Sequence, residues 1–153
     1  MIRRVFITLI ILAAAIWGGS EIFNRPQPAA TTNADMVITI FKTQKGNLDI
    51  IKVKKPPTEE IIKSPLTIEG EARGNWYFEA SFPIQLLDGN GKELAIKPAQ
   101  AQGDWMTSSY VPFRAVLEFT KPATQYGTLV LKKDNPSGLP EHDDELRVPV
   151  RFR

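Results

Sequence analysis

The chain has 153 residues, 42% hydrophobic and 24% charged, which suits one globular domain with a tail. It has no cysteine, which excludes a disulfide framework, a thiolate metal site, a cysteine nucleophile and a lipidated cysteine. The net charge of +2 sits in residues 1–25, where Arg3, Arg4 and Arg25 face only Glu21, so residues 26–153 are neutral as a group and lack the positive field that drives nucleic-acid binding.

Residues 1–4 are a short basic segment, and residues 5–17 that follow are uncharged, with Thr8 their only polar side chain. This layout predicts a hydrophobic anchor helix over residues 1–24, a single-pass signal anchor, with secretion after cleavage near Ser20 as the alternative. Arg3 and Arg4 would stay in the cytoplasm and the rest would be exported. Residues 25–35 are rich in Pro, Ala, Thr and Asn and read as an extended spacer.

Residues 36–41 and 48–53 are rich in β-branched side chains and read as two strands around a turn at 43–47. Residues 36–57 are either an accessory hairpin or the first strands of the domain. Residues 66–72 alternate apolar or small with polar. Over residues 76–86, Trp76, Phe78, Ala80, Phe82, Ile84 and Leu86 share one parity, while Tyr77, Glu79, Ser81, Pro83 and Gln85 share the other. That predicts one strand with Tyr77 on its wet face. Asp88-Gly89-Asn90-Gly91 reads as a hairpin turn into a strand over residues 94–101. Phe113, Ala115, Leu117 and Phe119 share a face, as do Leu129 and Leu131, and then Leu146, Val148, Val150 and Phe152. Pro149 lacks an N–H, so the last strand should be an edge strand or have an irregular ladder there. The pattern over residues 58–153 predicts an all-β, immunoglobulin-like antiparallel β-sandwich.

An ordered set of segments carries a resemblance: residues 64–73, 78–83 and 86–92, then Pro112-Phe113, residues 127–131, and the closing Leu146-Arg147-Val148-Pro149-Val150. Together these resemble the immunoglobulin-like domain of bacterial spore-germination and other cell-envelope proteins, over roughly residues 60–153. The resemblance implies a non-catalytic, interaction-mediating module of exported or membrane-anchored bacterial proteins, with no catalytic residues to carry over.

Candidate sites are few. His142, the only histidine, lies in the acidic run Glu141-His142-Asp143-Asp144-Glu145, which has no defined ligand spacing and reads as a solvated loop. Asp88-Gly89-Asn90-Gly91 lacks the EF-hand spacing and reads as a turn. There is no Gly-x-Ser-x-Gly elbow, Ser-x-x-Lys motif or P-loop. Trp105, Tyr110 and Tyr77 are the candidate contact residues, since exposed aromatics stack on sugars or anchor a protein partner, while a Trp such as Trp105 in a sandwich more often closes one end of the core. The expectation is a membrane-tethered module that is not an enzyme and uses no cofactor. Its partner would be an envelope protein, with a cell-wall glycan as the alternative.

Overall fold

The computed structural model describes residues 42–153. The expected anchor over residues 1–24, the spacer over 25–35 and the strand at 36–41 lie outside the described residues. Among the described residues, no helix is long and apolar enough to cross a membrane.

Among the described residues, seven strands form an antiparallel sheet: β1 (Ile51–Lys55), β2 (Leu66–Arg73), β3 (Ser81–Asp88), β4 (Glu93–Ala101), β5 (Tyr110–Leu117), β6 (Tyr126–Lys132) and β7 (Glu145–Arg151). Their order is β1-β2-β5-β4-β3-β6-β7. β4 pairs with β3 from Gln100 back to Glu93, but with β5 only at Gln100↔Arg114 and Ala101↔Phe113. The sheet divides at that short contact into two leaves, β1-β2-β5 and β4-β3-β6-β7. This is the strand order of an immunoglobulin-like sandwich whose fourth strand touches both leaves.

Alternation in the sequence forms the leaves. Leu66, Ile68, Gly70 and Ala72 of β2, Phe113, Ala115 and Leu117 of β5, and Leu146, Val148 and Val150 of β7 all turn inward. Buried side chains of both leaves join one core cluster. Its centre is a row of three rings. Tyr77 meets Phe82 edge-on with centroids 5.2 Å apart, and Phe82 meets Phe113 of the opposite leaf at 5.0 Å. Gly70 gives Phe113 its room, since a Cβ there would stand 2.5 Å from the ring and 2.2 Å from the Lys52 carbonyl oxygen.

The predicted strand over residues 76–86 is corrected. Gly74–Trp76 form a 3-10 turn, and β3 begins only at Ser81. Between them Phe78 and Ser81 exchange N–H···O bonds of 3.0 Å each, closing a two-residue turn in which Glu79 has φ 49° and Ala80 has φ 60°. Two positive φ values fit a type I′ hairpin, a turn that usually announces itself with Asn and Gly. Here Glu-Ala occupies it, so the turn is silent in the sequence and the alternation reads straight through. The turn reverses parity. Tyr77, expected on the wet face, is buried, and Phe78, expected inward, is 39% exposed.

Among the described residues β7 is an edge strand, which suits the missing N–H of Pro149. Its outer edge is covered at both ends by the chain itself. Gln44 N–H donates to the Glu145 carbonyl at 2.8 Å, Ile62 N–H to the Arg151 carbonyl at 2.8 Å, and Arg151 N–H to the Glu60 carbonyl at 3.2 Å. Buried Asp144 holds the turn at residues 43–47 against the start of β7. One of its carboxylate oxygens accepts from Thr43 Oγ1 at 2.9 Å and Asn47 Nδ2 at 3.2 Å, and the other from the Lys45 N–H at 3.1 Å. The registers thus place Arg73, Ala101, Tyr110 and Glu145 at the end where residues 42–44 enter, and Leu66, Asp88, Leu117 and Arg151 at the far end.

Phe82→Ala should cost about 3–5 kcal/mol of unfolding free energy in urea titrations, the range for deleting a fully buried aromatic ring. The double substitution Glu79→Asn with Ala80→Gly should instead raise stability by about 1 kcal/mol, because it relieves the left-handed backbone strain; a loss of stability would show that these side chains hold the turn.

Candidate functional site

The entry end gathers all three aromatics singled out from the sequence, each by a different local cause. Tyr110 opens β5 opposite Arg73, the last residue of β2. Its phenol donates to the Asp49 carboxylate, while Lys52 Nζ lies 3.9 Å and Arg73 Cζ 4.1 Å from its ring centroid. Arg73 ties the cluster together. Nη2 reaches Asp49 Oδ2 at 2.8 Å, Nε the Asp49 carbonyl at 3.3 Å, and Nη1 the Ser108 carbonyl at 3.2 Å.

These contacts set the protonation of the cluster. Hydrogen bonds from Tyr110 and then Arg73 hold the Asp49 carboxyl below its ordinary value of 3.8. The Tyr110 contact lifts the Lys52 ammonium above its ordinary 10.5. Burial, then the bond to Asp49, keeps the Tyr110 phenol protonated beyond its ordinary 10.0. For a carboxyl with a lowered folded value, stabilisation is present above the ordinary value and lost as pH falls through the folded one. The cluster is therefore complete at neutral pH and opens only below about 3.8.

Its work is internal. Arg73 pins the loop after β4, and Gly74 lets that loop close in, since a Cβ at Gly74 would stand 2.3 Å from the Trp105 carbonyl oxygen and 1.9 Å from that of Thr107. Trp105 is half-buried against the core. Tyr77 is 4% exposed and donates its hydroxyl to the Val111 carbonyl at 2.7 Å, and burial pushes its phenol far up. The ring that Tyr110 would offer a sugar is engaged by two cations, and Tyr77 is inside. Met106 is the exposed large apolar side chain of this loop.

His142 and Ser137 also meet, with Nδ1 and Oγ 3.0 Å apart. Ser137 Oγ is bonded to Asn135 Oδ1 at 2.5 Å as well, and Asn135 Nδ2 reaches the Leu139 carbonyl at 2.9 Å and Asp143 at 2.7 Å. All of it sits in one exposed loop, which these bonds brace. Among the described residues, no group of three His, Asp or Glu side chains is arranged to hold a metal.

The outer faces of the two leaves differ in a way that reading strands one at a time misses. The β1-β2-β5 face is closed by ion pairs: Lys54–Glu71 at 2.8 Å, Lys55–Glu69 at 2.9 Å, Lys52–Glu71 at 3.7 Å and Arg114–Glu69 at 3.8 Å. On the other face, Ile96 of β4, Gln85 of β3, Val130 of β6 and Arg147 of β7 form one row. Pro83 stands beside Pro98, and Leu87 and Thr128 lead to Pro149. Ile96 is 48% exposed, and the one ion pair on this face among the described residues is Arg147–Glu145 at 2.6 Å. The signal was present in three prolines and an isoleucine, but only the register shows that they share this face.

The family described as the immunoglobulin-like domain of bacterial spore germination matches residues 50–139. The match takes in β1, which pairs with β2 in the main sheet, and stops before β7. Comparison with curated proteins and with solved structures gives no match.

Asp49→Asn should move the Tyr110 phenol back down toward 10.0, because it removes a carboxylate that favours the protonated phenol. Alkaline absorbance titration at the tyrosinate band checks this, with Tyr110→Phe identifying the transition that moves.

Proposed function

The chain belongs to the family of immunoglobulin-like domains of bacterial spore germination, and from that membership we propose that it is a non-catalytic binding or scaffolding module of a bacterial cell envelope. In this reading, residues 1–24 tether it to the cell membrane as a single-pass anchor, residues 25–35 are the spacer, and the domain works outside the cytoplasm. Its partner is another envelope protein, met by the outer face of β4-β3-β6-β7.

The contrast between the two faces carries this reading. Ion pairs on the β1-β2-β5 face would each have to be stripped of water to enter an interface, which costs more than their mutual attraction returns. The other face offers Ile96, Pro83, Pro98, Leu87 and Pro149, with charges at its margin. That is the arrangement of an apolar centre and a polar rim. The prolines also have little side-chain freedom to lose on binding. A glycan-binding role for Trp105, Tyr110 and Tyr77 has less support, because Tyr77 is buried and Tyr110 is engaged by Lys52 and Arg73.

A photo-crosslinking amino acid placed at Ile96 of the full chain, in the living bacterium, should capture a discrete envelope protein. The same probe at Glu69 should not. Equal capture from both positions, or from neither, would remove this face as the interface.

A further inference from the structure

At the far end of the sandwich, an open cavity of about 370 Å³ lies between the segment before β2, the exit of β5 and the exit of β7. Its floor is apolar. Phe119 and Phe152 meet edge-on at 5.9 Å, and Ile61 is 48% exposed beside buried Ile62. Its lining carries the cations Lys63, Lys121 and Arg153, and no Asp or Glu side chain lines it among the described residues. None of these three cations makes an ion pair among the described residues, whereas those of the β1-β2-β5 face are paired across strands. Ser64 Oγ accepts from the Phe119 N–H at 3.0 Å, so its own hydroxyl hydrogen is left to donate.

We propose that this cavity binds the C-terminal residue of a peptide chain, its apolar side chain on the Phe119–Phe152–Ile61 floor and its carboxylate among Lys63, Lys121 and the Ser64 hydroxyl. Charge decides the anion: Lys63 and Lys121 make no ion pair among the described residues and are completed by a negative group, while Arg153 donates its Nη2 to the Ala123 carbonyl, and charge-assisted bonds to a carboxylate are the strong ones. Size decides the rest. A cavity of about 370 Å³ that is open to water holds one side chain and its carboxylate. A long acyl chain would keep most of its methylenes wet and lose the roughly 0.8 kcal/mol that burial of each one returns. The site lies apart from the Ile96 face, so a failure of cross-linking at Ile96 leaves it standing.

The test is fluorescence anisotropy with the full chain and a labelled Gly-Ser-Gly-Ser-Leu peptide, with its C-terminus either free or amidated. The free-acid peptide should bind at least about tenfold more tightly than the amide, since loss of a charge-assisted bond is worth roughly 1.5–3 kcal/mol. Lys63→Glu with Lys121→Glu should abolish that difference. Both positions are exposed, and unchanged circular dichroism would show that the fold survives. Equal binding of the two peptides, no binding of either, or displacement of the bound peptide by octanoate more readily than by acetyl-leucine would each overturn the proposal.

Discussion

The row Tyr77–Phe82–Phe113 is the contact on which the rest of the domain depends. It is where the two leaves touch through rings rather than through backbone, because β4 and β5 share only two paired residues. Edge-to-face rings have a preferred separation, so this row sets the spacing of the sandwich as well as filling it. Gly70 makes the spacing possible by letting Phe113 lie on the β2 backbone. Tyr77 completes the row from outside the strands, with its hydroxyl satisfied on the Val111 carbonyl.

Once the leaves are held apart at that distance, their outer faces are free to diverge. One spends its charges on itself and gains little by it, since exposed ion pairs contribute about 0–1 kcal/mol each. What those pairs do achieve is to make the face costly to desolvate. The other face carries fewer charges and more rigid apolar groups. The domain therefore presents partners with one surface that resists burial and one that accepts it, and the difference arises from pairing across strands rather than from overall composition.

Much of this was legible in the sequence. The strands at residues 66–72 and 146–151 alternate cleanly because one side of each is dry, and Pro149 pointed to an edge or an irregular ladder before any pairing was known. The turn at Glu79-Ala80 was not legible. Its residues have no preference for positive φ, and the conformation is imposed by packing Trp76, Tyr77 and Phe82 around it. That one hidden reversal moved Tyr77 from a supposed wet face into the core. Tyr110 was read as a free aromatic for a related reason. Its partners Asp49, Lys52 and Arg73 are distant in sequence and meet it only through the β1-β2-β5 register. The Ile96 face and the far-end cavity were likewise invisible, being built from three or more separated segments.

The Asp144 clamp has a mechanical side. Residues 42–47 and the start of β7 are nailed together at one end of the sandwich, through a buried carboxylate that accepts four hydrogen bonds. The cavity floored by Phe152 is at the opposite end. A pull applied between the chain's entry and anything held at that cavity would therefore run along the strands. Loaded in this direction, the ladders of β1 with β2 and of β6 with β7 share tension over all their bonds at once, as in a lap joint, instead of opening bond by bond like a zip. The first part to feel the load is the Asp144 rivet, which carries no residue of the row through Ile96.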